Sequence, residues 1–348
     1  MRIFPIIKDP VYKKKESYNV AERFFLTLIR DERDLPFVQL TVTILLTLIP
    51  LGIFLYVPGI PGWLWWLAAA AYFFLNNFYF KAPFGLMLHC TCHNKLYKYK
   101  YEKLNLILPW FVGLFFGQTP ETYFTHHIGM HHIENNLEDD KSSTMAYQRD
   151  SFRDFMKYFS SFMYRGLVDL SMYFSNKNRE KLMIKTIRGE FLYILMCIGL
   201  CIVNWQATLV VFILPLLISR FIMMLGNWTQ HSFIDAADPG NHYKNSITCI
   251  NTNYNKKCWN DGYHISHHIK PTMHWTEHPK HFVEHIQKYA ANKAIVFEGI
   301  GFLEVFIYLM LKRYDKLEHH FVNIESIYSS QEEVISLMKY RTQKIVNE

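Results

Sequence analysis

Histidine recurs at helical spacing in three short runs, HCTCH at 89–93, HHIGMHH at 126–132 and HISHH at 264–268. Residues three or four apart share one face of a helix, so His89 pairs with His93, His127 with His131, and His264 with His267 and His268. Asn227 and His231 form another i, i+4 pair. With His132 beside His131, the set offers nine imidazoles: His89, His93, His127, His131, His132, His231, His264, His267 and His268. Asn227 adds a polar group able to hold a water. Imidazole suits iron, zinc, nickel and copper. A tetrahedral ion takes about four ligands, so nine donors divide naturally between two ions, each keeping room for water or dioxygen. The opposite reading, nine unliganded rings packed together, is disfavoured. Like-charge repulsion opposes their protonation, and buried unpaired nitrogens lose solvation.

A single HxxxH is weak evidence, and a lone ring near a headgroup region commonly makes ordinary hydrogen bonds. It is the joint occurrence of the runs that carries weight. His126 adjoins His127 and would point elsewhere on a helix, so a supporting role is expected for it. His281 and His285 have ligand spacing, but Pro279 and the neighbouring lysines predict a surface helix. Pro271 is expected to end the helix that carries the third run. Asp235, Asp238, Asp261 and Glu134 are candidates to fix the tautomer of a ligand ring.

The elements that must position these rings are apolar. The chain has 348 residues, 50% of them hydrophobic, with 28 Phe, 22 Tyr and 8 Trp. Residues 37–57 and 62–80 are charge-free, 207–226 is interrupted only by Arg220, and 190–205 is a slightly short fourth run. A bilayer crossing needs about 20 apolar residues. The expectation is therefore an all-α membrane protein with four transmembrane helices in two hairpins, and a cytoplasmic helical cap carrying the histidine runs. Turns fall at 58–61 and 204–206. Lys and Arg crowd the other ends of the spans, which places both termini and every run on the cytoplasmic side. The same bias accounts for a net charge of +7, with anionic lipid headgroups as the natural contact and no cause to invoke nucleic acid. No cleavable secretory leader is expected. The six cysteines form no disulfide ladder, as suits a reducing compartment.

Residues 104–117 are apolar but too short to cross, and are expected to be re-entrant or interfacial. Residues 135–153 read as loop, 155–172 as a helix on the bilayer or over the site, and 293–311 as an interfacial or core helix. Three regions result: a cytoplasmic segment at 1–34, the membrane domain with its cap at 35–311, and a cytoplasmic tail at 312–348.

These runs together resemble the integral-membrane fatty acid desaturase superfamily. The likeness covers roughly 35–285 and extends through NWTQH at 227–231, where acyl-CoA desaturases place an asparagine and a histidine four apart. It implies a four-helix membrane cone, a cytoplasmic cap and two Fe2+ ions held by the nine histidines, with Asn227 contributing through water and no protein nucleophile. Its first ligand in the second run stays open between His127 and His126. The chain lacks the His-Pro-Gly-Gly signature of a fused cytochrome b5 domain, so electrons are expected from a separate carrier such as cytochrome b5 or ferredoxin. An unactivated methylene offers hydrolytic zinc nothing to polarise, whereas iron activates dioxygen.

The expected function is thus a dioxygen-dependent di-iron desaturase, an oxidoreductase placing a C=C bond in a lipid or acyl chain. The alternative is a hydroxylase or ketolase on the same scaffold, acting on an alkyl chain, a sphingoid lipid or a carotenoid. A non-catalytic membrane protein or metal transporter is the contrasting class; a transporter would place its ligands at the bilayer midplane. A multi-pass protein of the endoplasmic reticulum or bacterial inner membrane fits, with the active site cytoplasmic. Chain length, regioselectivity, acyl carrier and oligomeric state leave no mark on the sequence.

Overall fold

Long uncharged runs of Leu, Ile, Val and Phe become long helices. The computed structural model describes residues 4–345, and the chain is mostly helical. Among the described residues, two helical stretches are long and apolar enough to cross a membrane, Glu32–Phe54 and Glu180–Gln230. The residues sort into two compact units, one of Lys13–His127 with Phe174–Phe221, the other of the residues through Tyr12, Ile128–Tyr173 and those from Ile222 onward.

In the first unit, the stretch beginning at Glu180 reverses rather than continuing straight. Asn204 leaves helical geometry (φ −158°, ψ 99°) and its Oδ1 accepts from Ala207 N at 3.0 Å, capping the returning segment. The Tyr193 hydroxyl then donates to the Phe212 carbonyl at 3.0 Å. A straight helix would hold those residues about 28 Å apart. The other apolar stretch turns at 55–61, where Trp65 Nε1 donates to Leu55 O. It returns as Gly62–Phe74, a π-helical stretch Leu75–Phe80 and Lys81–His93. Trp63, Trp65, Trp66, Tyr72, Asn76 and Asn77 make this returning run less apolar than its partner. Both turns fall where the sequence places them. Leu46, Phe74, Phe78, Ile198, Ile202 and Val203 face outward.

Leu108–Val112 and Gly113–Phe115 end buried inside this unit. A buried helix end must find donors for its last carbonyls. Tyr193 Oη donates to Leu114 O, Asn76 Nδ2 to Phe115 O at 2.8 Å, and Ser219 Oγ to Phe116 O at 2.5 Å. Lys81 Nζ, also buried, contacts Phe116 O, Pro215 O and Ser219 Oγ. The chain leaves through Gly117 at φ +71°, where a Cβ would stand 2.2 Å from the Leu216 backbone. Only glycine meets both demands.

The second unit holds the helix Phe152–Asn176 over most of its length and two features absent from the sequence-based expectation. Residues 293–311 are not one helix: strand Ile295–Glu298 precedes helix Phe302–Met310. The strand pairs in parallel with Ile247–Ile250 in register Ile247 to Ile295. Ile295, Val296 and Phe297 are fully buried, and this β-branched and aromatic run between Lys293 and Gly299 is too short for a helix. Residues 312–345 fold onto this unit, with Val334 and Met338 of helix Gln331–Arg341 fully buried in the same core as Phe297 and Leu309.

Gly117→Ala should destabilise the protein by at least about 2 kcal/mol, combining left-handed strain with overpacking. Thermal unfolding in detergent measures this, and an unchanged midpoint would contradict the close approach to Leu216.

Candidate metal centre

Each histidine is delivered by a helix end. In the first unit, Lys81–His93 presents His89 and His93 on one face. The short helix Thr122–His126 passes into the π-helical turn His127–His131, bringing His127 to the same place. The ring nitrogens of His89, His93 and His127 lie within 4.8 Å of one another, with His93 Nε2 3.1 Å from His127 Nε2. Tyr123 stacks on the His127 ring at 5.6 Å. His127, not His126, belongs to the group.

The second unit gathers His131, His231, His264 and His268, all buried, with their ligand atoms within 4.8 Å of one another. His264 Nε2 is 3.2 Å from His231 Nε2 and 3.0 Å from His268 Nε2. His132 and His267, also of this unit, meet Nε2 to Nε2 at 2.9 Å. These separations match the edges of a coordination shell: first-row metal–nitrogen bonds of about 2.05 Å put tetrahedral ligands about 3.3 Å apart.

The outward nitrogens decide the tautomers. His131 Nδ1 stands 2.8 Å from Asp140 Oδ2, and His231 Nδ1 is 2.9 Å from the Asn245 carbonyl. A carboxylate and a carbonyl only accept, so both rings carry their proton on Nδ1 and turn an Nε2 lone pair inward. Burial pushes His231 down to about 3 and holds His268 well below the ordinary imidazole range. Nearby imidazoles act in the same direction for both. The rings are therefore neutral, the form that ligates. A shared ring proton can satisfy one pair of nitrogens at about 3 Å, whereas a single cation satisfies all four, so the donor set fits a transition-metal ion.

Behind these rings stands a polar loop whose role the sequence did not disclose. Asn135 and Asn136 are both left-handed, at φ 50° and 59°. Asp140 accepts from Asn136 N, Ser142 N and Ser142 Oγ besides facing His131. Thr144 Oγ1 donates to the His231 carbonyl at 2.7 Å, and Asn136 Nδ2 donates to Asn245 Oδ1 at 3.0 Å. One network thus fixes two rings of the quartet. Arg149, fully buried, closes it from below by donating to six carbonyls, those of Thr144, Met145, Tyr147, Ser232, Arg341 and Gln343. Ser232 follows His231 directly, so the guanidinium ties a residue of the quartet to the C-terminal helix.

The carboxylates proposed from sequence have other partners. Glu134 accepts from Tyr173 Oη, and Asp261 accepts from Tyr254 Oη and Gln230 Nε2. Asp235 contacts Lys244 and Arg341, and Asp238 contacts Lys244. Asn227 commits Nδ2 to Ser142 O at 2.9 Å and Tyr158 Oη at 2.7 Å. His281 and His285 stack on each other at 4.1 Å, outside both groups. His242, adjoining His268 at 5.9 Å between rings, is held by Asn135 Oδ1. A DxS turn after HHxE, in a stretch otherwise read as plain loop, was the available signal for Asp140.

Asp140→Asn removes the charged acceptor behind His131. It should weaken metal retention about 10- to 100-fold, read by competition with a chelator. Asp238→Asn, on the exposed Lys244 pair, should leave retention unchanged; equal retention in both variants would rule out the Asp140 role.

No curated protein and no solved structure gives a significant match to the chain. The sequence model described as fatty acid desaturase matches residues 65–299, which take in all three histidine runs and the NWTQH segment. The chain belongs to the fatty acid desaturase family.

Proposed function

We propose that this protein is a dioxygen-dependent di-iron desaturase that introduces a C=C bond into the alkyl chain of a lipid or acyl substrate. The observation that carries this reading is the buried quartet His131, His231, His264 and His268, four imidazoles whose ligand atoms lie within 4.8 Å of one another. His89, His93, His127, His132 and His267 are the donors that remain for a second. Imidazole alone does not choose the metal; family membership favours iron over zinc.

Bound there, the ion pair would supply the activation of dioxygen needed to remove hydrogen from an unactivated methylene. The balance is R–CH2–CH2–R′ + O2 + 2 e− + 2 H+ → R–CH=CH–R′ + 2 H2O. The two electrons come from a separate one-electron carrier such as cytochrome b5 or ferredoxin. The chain's own residues hold, orient and insulate. Asp140 and Asn245 keep Nε2 of His131 and His231 free of protons and aimed inward. Burial of the quartet excludes bulk water, which would otherwise intercept reactive species.

The outward-facing apolar side chains and the two hairpins support a multi-pass placement with four crossings. The lysine- and arginine-rich side then carries the metal centre in the cytoplasm, at the endoplasmic reticulum or a bacterial inner membrane. A cysteine introduced at Ile60 or at Gln206 should react with an impermeant thiol reagent from the face opposite to one introduced at Lys98, over the background of native thiols. Labelling of all three from one face would overturn the four-crossing topology.

Expression in a cell with a matching electron donor, followed by mass spectrometry of total lipids, tests the reaction. Products lighter by two hydrogens are expected. Products heavier by one oxygen would make the enzyme a hydroxylase or ketolase, and unchanged lipids would contradict the catalytic reading.

A further inference from the structure

The helix that carries the third histidine run, His264–Ile269, is six residues long and has no side-chain cap at its start. A helix of that length does not hold itself. Its placement comes from the two residues before it. Gly262 is wedged where a Cβ would lie 2.3 Å from Asn255 Oδ1 and 2.5 Å from the Cys249 carbonyl, and Gly262 O accepts from Cys249 N at 2.7 Å. Tyr263, fully buried, donates its hydroxyl to Asp9 Oδ2 at 2.7 Å.

Asp9 lies 254 positions earlier in the chain and is itself buried, at 4% exposure. Among the described residues no cation pairs with it. Its oxygens are instead filled by Tyr263 Oη, by Asn251 N at 2.6 Å and by Thr252 N at 3.2 Å. The chain on either side of Asp9 is sewn to the same loop. Lys8 N donates to Asn251 Oδ1, Asn251 Nδ2 to Ile6 O, and Asn260 Nδ2 to Pro10 O. Phe4 and Ile7 pack on the cluster containing Tyr263, Ile265 and Phe282. Asn251, Trp259 and Asn260 are all left-handed, with φ between 55° and 57°. Non-glycine residues adopt that conformation only where surrounding bonds enforce it. The strap supplies such bonds at Asn251 and Asn260.

We propose that residues 4–12 form a positioning strap for the third histidine run. Asp9 acts through Tyr263 to fix the start of helix His264–Ile269, holding His264 and His268 at the spacing that metal retention requires. Asp9 and Tyr263 are thus positioning residues, with neither ring nor carboxylate on the metal. The inference rests on the metal-centre reading above.

The test uses the full chain in detergent, loaded with Fe2+, as wild type and as Asp9→Asn, Tyr263→Phe and the double variant. Iron loss to excess chelator should be about tenfold faster in each single variant. The double variant should lose iron no faster than either single one, because both changes break one link. The ligand-field absorption of Co2+-loaded protein should shift in all three. Asp150→Asn serves as the stability control, since it disrupts another buried carboxylate of the same unit, bonded to Gln148 and Tyr314. It should lower the thermal midpoint with wild-type iron loss and an unshifted cobalt spectrum. Wild-type iron retention in Asp9→Asn would overturn the strap, as would fully additive single effects or equal iron loss in Asp150→Asn at the same thermal midpoint. A wild-type chain that takes up neither metal would overturn the metal centre and the strap together, a result distinct from the others.

Discussion

Buried imidazoles aimed at one another are the constraint on which this structure depends. Such an arrangement is costly as it stands: each ring has given up solvent, and the inward nitrogens crowd one another at about 3 Å with too few protons to pair them all. A proton shared between two rings relieves that repulsion for one pair; a bound cation turns it into attraction for all of them at once. Until one binds, the rest of the fold has to keep the rings from swinging apart. The polar investment around the quartet arises from this requirement.

That investment is made mainly with backbone carbonyls and uncharged side chains. Asp140, the carboxylate behind His131, also accepts from Asn136 and Ser142. Arg149 binds six carbonyls, and burial pushes its guanidinium down to about 9, still charged at neutral pH. Removing one partner of such a network leaves the others buried and unsatisfied, which is why it favours a single arrangement. The same economy governs the apolar unit, where the carbonyls ending Gly113–Phe115 are met by Tyr193, Asn76, Lys81 and Ser219.

The histidine runs were legible because helical spacing is local: HxxxH and HxxHH put rings on one face whatever the tertiary structure. It disclosed the hairpin turns for a similar reason, since Pro58-Gly59-Ile60-Pro61 and Asn204 interrupt apolar periodicity. The supporting partners were illegible because they are distant in the chain. Asn245 reaches His231 from 14 positions away, and Asp9 reaches Tyr263 from 254. The short parallel strand pair was missed because residues 293–311 are nearly uniformly apolar, and such a run does not reveal its period. Asp140 lies nine positions beyond His131, farther from the nearest of the nine histidines than the four carboxylates named from sequence and inside a stretch that reads as loop.

Metal analysis of the purified chain tests the central claim most directly. The account predicts two iron ions per chain, falling to about one when His264 and His268 are both replaced by alanine, with the protein still folded. A folded wild-type chain that binds no iron, or a double variant that keeps the full complement, would contradict it.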